Sequence, residues 1–351
     1  MRNVPAGQPQ PISDRAPISD LQMLACWHCG AKNFVPKKFP PLAVIPCGKC
    51  QEGILVPLRL RQFELRRMIG TGGMGVVYEA TDVVLQRSVA IKLIHEALAR
   101  DPEALNAFQR EARICGALRH SNIISIYAFE EFADKSYLVM EMASGGSLQT
   151  RVEKEERVAE LDVLDIGVKI ASALASALKK GLLHSDIKPG NILFDADQEP
   201  KLVDFGLARR VEESSKENNI WGTPNYMAPE KAASAKESFL SDLYSLAGTL
   251  YFALTGKPPF QAETVEEVLD LHRGSPLVPP NQIVPEISHE TCDAIVRAMA
   301  KNPADRHPSY DAFILDLTSS RSRLLVEKFR QTAGSGNGGK KWWQRFVPGR
   351  P

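Results

Sequence analysis

His184-Ser185-Asp186-Ile187-Lys188-Pro189-Gly190-Asn191 runs directly into the apolar segment Ile192-Leu193-Phe194, and a little further on stands Lys201-Leu202-Val203-Asp204-Phe205-Gly206. Asp186 and Asp204 each lie beside an apolar, strand-like run, so the spacing predicts a hairpin. That hairpin would bring both carboxylates and Asn191 to one cleft. Carboxylate and amide oxygens are the hard ligands that Mg²⁺ takes when it is also bound to nucleotide phosphates. The stretch therefore reads as a metal- and phosphate-handling site.

Working outward, three more blocks bear on the same chemistry. Gly70-Thr71-Gly72-Gly73-Met74-Gly75-Val76-Val77 contains G-x-G-x-x-G with apolar runs on both sides. The glycines would thus join two strands, whereas a dinucleotide-binding turn needs a helix after the last glycine. Alone, three glycines in six residues are as compatible with an ordinary flexible turn. Glycine here would let backbone amides approach phosphate oxygens with no β-carbon in the way. Val89-Ala90-Ile91-Lys92 sets one lysine in an apolar strand pattern. Its neighbours predict burial, so Lys92 needs an anionic partner. Glu111 is the candidate: it borders the inward face of a helix expected over 101–118, with Asp101 as N-cap, Pro102 at the first position, and Leu105, Phe108, Ala112 and Cys115 at helical spacing. Last comes Gly222-Thr223-Pro224-Asn225-Tyr226-Met227-Ala228-Pro229-Glu230.

In order, spacing and identity these blocks resemble the protein kinase family, over about Arg61 to Leu325. The glycine loop with its Met74, and Ala304-Asp305-Arg306-His307-Pro308 downstream, are most similar to bacterial relatives of eukaryotic Ser/Thr kinases (Hanks-type). The resemblance implies an α+β, two-lobed protein kinase fold, a small mainly β lobe before a large mainly α lobe. Strands are expected at Phe63 to Met68, Val76 to Ala80, Val89 to Ile94 and Tyr137 to Met140, and helices at Val163 to Leu178 and Phe239 to Leu254.

The roles it implies attach to particular residues. Gly70, Thr71, Gly72, Gly73 and Gly75 would cover the ATP phosphates, and Val77 and Ala90 would line the adenine site. Lys92 would hold the α- and β-phosphates and pair with Glu111. Asp186 would orient the substrate hydroxyl or take its proton, and Lys188 would neutralise charge on the transferring phosphoryl group. Asn191 and Asp204 would bind Mg²⁺ (or Mn²⁺). Met140 would gate the back of the adenine pocket, with Glu141 and Met142 supplying hinge backbone groups. Glu230 and Arg306 match an ion pair bracing the larger lobe, and Asp242 a helix aspartate anchoring the catalytic loop. His184 is expected to pack and hydrogen-bond rather than act as acid or base. The implied activity is ATP-dependent phosphorylation of Ser/Thr in protein substrates, in bacterial signalling. The alternative is a pseudokinase scaffold, against which stand Lys92, Glu111, Asp186, Asn191 and Asp204. One departure is notable: the family usually carries arginine before the catalytic aspartate, where it binds an activation-loop phosphate, and this chain has Ser185. Control by Ser214 or Ser215 phosphate is therefore not expected, and Thr223 is expected to bond Asp186 instead.

Before that fold, Cys26-Trp27-His28-Cys29 and Cys47-Gly48-Lys49-Cys50 are two C-x-x-C pairs separated by seventeen residues. Paired thiolates at this spacing can grip one tetrahedral ion from two turns, and a module this short needs metal to supply folding energy. It resembles a zinc ribbon holding structural Zn²⁺, with iron or a redox dithiol as alternatives. Gly30 and Gly48 are expected at the tight turns around the sulfurs. His28 is not expected as a ligand, and Cys115 and Cys292 read as core residues. The expected organisation is a disordered leader over 1–23, a zinc-ribbon-like module of four cysteines over 24–57, the kinase domain over 61–325, and a flexible linker and basic-aromatic tail over 326–351. The two modules are expected to have separate cores, so that a chain starting near Leu58 would keep its activity.

Composition limits the partners. The 351 residues carry 43 Lys and Arg against 42 Asp and Glu, a net charge of +1, so there is no global pull toward nucleic acid. No run approaches the roughly 18 apolar residues that cross a bilayer. The first 25 residues lack the basic start and apolar block of a secretory signal, and the paired cysteines suit a reducing compartment, so the expected location is cytoplasmic. Expected partners are protein substrates and a docking partner for the ribbon. Lys340-Lys341-Trp342-Trp343-Gln344-Arg345-Phe346 reads first as an end that binds nothing, with partner docking or membrane contact as alternatives.

Overall fold

The computed structural model describes residues 20–72, 75–205, 209–210, 223–233 and 237–334, without the side chains of 104, 107, 111, 115, 209, 210 and 331–334. The leader through residue 19, Gly73, Met74, Gly206, Ser214, Ser215, Gly222, the tail from residue 335, and the side chains of Glu111 and Cys115 thus lie outside what is described, while 21–23, expected in the disordered leader, lie in a strand and 326–334, expected in the flexible linker, in a helix. The chain forms two compact units: the described residues through Leu105 together with Ala128–Met142, and Asn106–Tyr127 together with those from Ala143 onward.

In the first unit, β1 (Leu21–Ala25) and β2 (Lys32–Pro36) form one antiparallel hairpin, and β3 (Val44–Pro46) and β4 (Gly53–Leu55) form another. A six-stranded sheet follows. It comprises β5 (Arg59–Leu60), β6 (Phe63–Thr71), β7 (Gly75–Asp82), β8 (Arg87–Ile94), β9 (Ile126–Phe132) and β10 (Lys135–Met140), in the order β5-β6-β7-β8-β10-β9. The apolar residues of β8 on either side of Lys92 reflect its inner position, flanked by β7 and β10 and buried from Val89 to Ile91. Phe63, Leu65, Tyr78, Val89, Ile91, Tyr137 and Val139 form the sheet's core. Leu55 of β4 belongs to that same cluster and the half-buried Leu42 packs against it, both from the cysteine module. The module keeps a small core of its own, Cys26, Cys47 and Ile54 with Leu24 and Ala31 packed against it, but through Leu55 it is also joined to the sheet's core, which the sequence expectation did not include. Backbone bonds continue the join, with Leu65 N donating to Leu58 O at 2.9 Å. After β8 come the single turn α1 (Glu96–Ala99) and α2 (Pro102–Ala117), whose start is capped by Asp101 Oδ1 accepting from Glu103 N at 2.9 Å.

The second unit is mainly helical: α3 (Leu148–Glu155), α4 (Glu160–Leu178), α5 (Pro229–Ala232), α6 (Phe239–Thr255), α7 (Val265–Gly274), α8 (Pro280–Ile283), α9 (His289–Ala298) and α10 (Tyr310–Gly334). Short strands β11 (Leu182–Leu183), β12 (Ile192–Phe194), β13 (Pro200–Leu202) and β14 (Arg209–Arg210) pair as β11 with β14 and β12 with β13. A capping box of Ser238 and Ser241 starts α6, which is buried almost all round and so serves as a core element rather than an amphipathic surface helix. Leu243, Leu246, Leu250 and Tyr251 of α6 share a cluster with Ile170 and Leu174 of α4 and Phe313 and Leu317 of α10. That cluster fixes the ground on which the loop from Leu183 to Asn191 rests.

Candidate active site and metal centre

The loop after β11 begins with His184, which is fully buried. Its Nδ1 accepts from Asp186 N at 3.3 Å, so Nε2 carries the hydrogen and donates to Val203 O at 3.0 Å. Its ring also packs on Phe205 at 4.6 Å. Both nitrogens are thus spent on holding the loop. Asp242 of α6, 3% exposed, accepts from His184 N at 2.7 Å and Ser185 N at 2.9 Å. Burial pushes the Asp242 carboxyl above its ordinary pKa, against these bonds.

Asp186 is the convergence point. Its Oδ1 accepts from Thr223 N at 3.2 Å and Thr223 Oγ1 at 3.3 Å, and its Oδ2 from Lys188 Nζ at 2.7 Å. Asn191 Nδ2 donates to Asp186 O at 2.8 Å and to Oδ2 at 3.3 Å. With its amide hydrogens spent there, Asn191 has its carbonyl oxygen to offer a cation. The β12–β13 hairpin forms in register Ile192 with Leu202, and Val203 N donates to Asn191 O at 3.0 Å, which sets Asp204 one residue beyond. Asp204 is exposed and adopts φ +66°. Three of the residues chosen from the sequence, Asp186, Lys188 and Asn191, are therefore in direct contact, and Thr223 joins them.

In the other unit, the turn between β6 and β7 closes with Gly72 N to Gly75 O at 2.9 Å and Gly75 N to Gly72 O at 3.3 Å. A Cβ on Gly75 would lie 2.2 Å from Leu93 O, so only glycine fits where β7 passes β8. Nothing lies within 4 Å of a Cβ built on Gly72, on the open side of the turn. His95 Nε2 meets Gly72 O at 3.2 Å, a tie the sequence did not signal. Register places Val77 opposite Gly70 and Lys92, and Ala90 opposite Met140. Lys92 is half-buried, and Glu141 and Met142 follow at the end of β10.

The second unit is braced by Arg306, 2% exposed, whose NH1 and NH2 each meet a Glu230 oxygen at 2.8 Å. Burial would raise the Glu230 pKa, but the Arg306 fork outweighs it and holds the carboxyl below its usual value.

The four cysteines of the N-terminal module converge. Their sulfurs all lie within 4.8 Å of one another, with Cys26 to Cys50 and Cys29 to Cys47 each at 3.7 Å. A tetrahedron with Zn–S bonds of about 2.3 Å has edges of about 3.8 Å, so the donor set fits a zinc ion. His28 stands outside this cluster. The two knuckles match: Gly30 N donates to Cys26 O at 2.9 Å and Gln51 N to Cys47 O at 3.0 Å, with φ +69° at Gly30 and +64° at Gln51. Gly48 lies in the second turn, as expected, while the left-handed position there is Gln51. Gly48 N instead donates to Asn33 Oδ1 at 2.9 Å, and Asn33 Nδ2 reaches Cys47 Sγ at 3.7 Å. Asn33 is a supporting residue that no sequence spacing marked. Amides of Cys50 and Lys49 pull the Cys47 thiol down to about 6, whereas, against a bond from the Glu52 amide, burial and the neighbouring sulfurs push Cys50 up to about 12.

Residues 63–313 match the protein kinase domain family. The chain is 38% identical over 247 residues to serine/threonine-protein kinase PknE of Mycobacterium bovis, covering 70% of this chain and 44% of that protein. It is 34% identical over 269 residues to probable serine/threonine-protein kinase PknB of Corynebacterium glutamicum, covering 73% and 42%. To serine/threonine-protein kinase PknH of Mycobacterium bovis it is 34% identical over 249 residues, covering 70% and 42%. The matched region thus spans less than half the length of these relatives.

Proposed function

The chain belongs to the protein kinase family, and on that premise we propose that it transfers the γ-phosphoryl group of ATP to serine or threonine hydroxyls of protein substrates. The observation that carries this reading is the Asp186 carboxylate, held at once by Thr223, Lys188 and Asn191. Phosphoryl transfer asks little covalent chemistry of a protein; it needs alignment and positive charge around the phosphoryl oxygens. Asp186 would receive the substrate hydroxyl, oriented by Thr223 on one oxygen and Lys188 on the other. Lys188 would turn to the transferring group as negative charge grows there. The turn of Gly70, Thr71, Gly72, Gly73 and Gly75 would cover the phosphates, and Lys92, with Glu111, would hold them. Val77, Ala90, Met140, Glu141 and Met142 would take the adenine. Mg²⁺ or Mn²⁺ held by Asn191 and Asp204 would supply charge neutralisation to the phosphate oxygens.

The cysteine cluster supports a structural Zn²⁺ with no open position, and therefore no catalysis at that centre. Residues 24–57 would form the ribbon and 61–325 the catalytic domain, with the ribbon docked on the sheet through Leu42 and Leu55. Among the described residues no helix is long and apolar enough to cross a membrane. A cytoplasmic location and protein partners at the ribbon belong to the same proposal.

Transfer of label from γ-labelled ATP to a generic basic protein tests the reading. Asp204→Ala and Lys92→Met should each lose at least about 10²-fold in rate while remaining folded. Undiminished transfer in either variant would overturn the assignment.

A further inference from the structure

Ser185 sits where the resembling family carries a phosphate-binding arginine, yet its backbone is pinned from both ends. Its N–H is held by Asp242 at 2.9 Å, and its carbonyl oxygen accepts from Lys231 Nζ at 2.5 Å. Between those two bonds the residue adopts φ +67°, a conformation that L side chains take reluctantly and keep only where neighbours enforce it. The Ser185 hydroxyl is buried and has no hydrogen-bond partner among the described residues, so the side chain itself is not what holds the turn.

Lys231 is 8% exposed, and a lysine so buried needs an anion near it. Glu237, 9% exposed, supplies one at 3.4 Å. Lys231 also lies on α5 directly after Glu230, whose carboxylate is clamped by Arg306. Its stem therefore starts from a fixed point. Ser185, Asp186, Thr223 and Lys231 line one small recess, so the ammonium stands beside the residues that orient Asp186.

We infer that Lys231 is a positioning residue: paired with Glu237, it fixes the Ser185 carbonyl and so presets Asp186, with no phosphate on the loop between Asp204 and Glu230. In relatives with arginine before the aspartate, a cation on the loop waits for an added anion. Here cation and anion are both built into the fold, and the charge-assisted bond runs to main chain. This inference rests on the proposed kinase activity.

The test uses the full chain, treated with phosphatase, and compares Lys231→Met, Lys231→Arg and wild type. Lys231→Met should lower kcat by about 30-fold or more in the folded protein, with KM for ATP little changed; its melting midpoint should fall, since Glu237 is left buried without this partner. Lys231→Arg should recover kcat to within about threefold of wild type. A kcat for Lys231→Met within about threefold of wild type overturns the inference, as does an equal loss in both variants. Should Lys231→Met not fold, Glu237→Gln is read instead: a kcat loss of about fivefold supports the pair, and an unchanged kcat overturns it. Hydrogen exchange of the amides from Leu183 to Lys188 separates this claim from the functional reading. Exchange raised about tenfold or more in the folded variant supports the clamp, and unchanged exchange overturns it, even if wild type transfers no phosphate.

Discussion

The guanidinium of Arg67 lies 4.8 Å from the ring centre of Trp27, the residue that follows the first clustered cysteine. Arg67 Nε also bonds Glu79 on the neighbouring strand at 2.7 Å, and Trp27 Nε1 donates to Gly53 O at 3.1 Å. The first cysteine knuckle is thus tied to β6 and β7, the two strands that carry the glycine turn. A cation–π contact this exposed is worth about 0.5–1 kcal/mol, and burial of Leu42 and Leu55 in the sheet core adds more. Purified protein should contain one zinc per chain by elemental analysis, and Cys47→Ser with Cys50→Ser should remove it. The same variant should lower the melting midpoint and raise KM for ATP, because the sheet loses part of its support. A metal-free chain with unchanged melting and KM would refute this coupling.

Leu55 supplies a simpler check. Truncating a core leucine costs about 2–5 kcal/mol, depending on how far the site collapses. Leu55→Ala should destabilise the protein on that scale although it lies outside the matched kinase region. A loss below about 0.5 kcal/mol, as at a surface site, would mean the module packs only loosely on the sheet.

Arg306 donates to Glu230, Leu240 O and Ala300 O from a fully buried position. Removing one partner of a buried pair leaves the other charge uncompensated, at a cost of about 3–5 kcal/mol. Arg306→Ala should therefore lose that much stability by denaturant titration, and Arg306→Lys most of it, since lysine lacks the planar fork. A loss under about 1 kcal/mol in Arg306→Ala would contradict the bracing role.

The main strands and helices were legible because their patterns are strong: the apolar run of β8, the helical spacing of α4, the glycine turn. β9 was missed because Glu130 and Glu131 break its apolar alternation at the sheet's edge. Asp186, Lys188 and Asn191 could be named because they stand close together in one short segment. Lys231, Asn33 and His95 could not, because each acts on main chain or sulfur far away in sequence. A lysine following Pro-Glu reads as a solvated helix charge, and only the path of the chain puts it against Ser185. The shared core of ribbon and sheet was missed for a related reason. Leu42 and Leu55 look sufficient only for their own short strands, and nothing in their spacing says which core they enter.

His272 of α7 gives a pH dependence. Burial, with the Lys301 charge nearby, pushes its pKa down from 6.5 to about 4, and Tyr244 Oη lies 2.9 Å from its Nδ1. Between those values the unfolded chain binds a proton at this site that the folded chain refuses. Stability is therefore full above about pH 6.5 and falls as pH drops toward 4, by on the order of 3 kcal/mol. The fall in melting midpoint over that window should be shallower in His272→Gln than in wild type. Equal slopes would assign the acid sensitivity to other groups.

Loop phosphate should matter little. Ser214 and Ser215 have Glu212, Glu213 and Glu217 as neighbours, so an added phosphate meets like charge, and Ser185 brings no cationic fork to receive it. Ser214→Ala with Ser215→Ala, and phosphatase-treated wild type, should each keep kcat within about tenfold of untreated protein, roughly 1.4 kcal/mol in the barrier. A larger loss would make loop phosphate a switch after all.

The most direct measurement is transfer from γ-labelled ATP with Mg²⁺ to a basic protein, followed by identification of the labelled amino acid. Wild type should place label on serine or threonine. Asp186→Ala, with unchanged melting, should fall by about 10²–10⁴-fold, the usual worth of a positioned base. Label on no protein residue in wild type, or equal transfer in Asp186→Ala, would contradict the account.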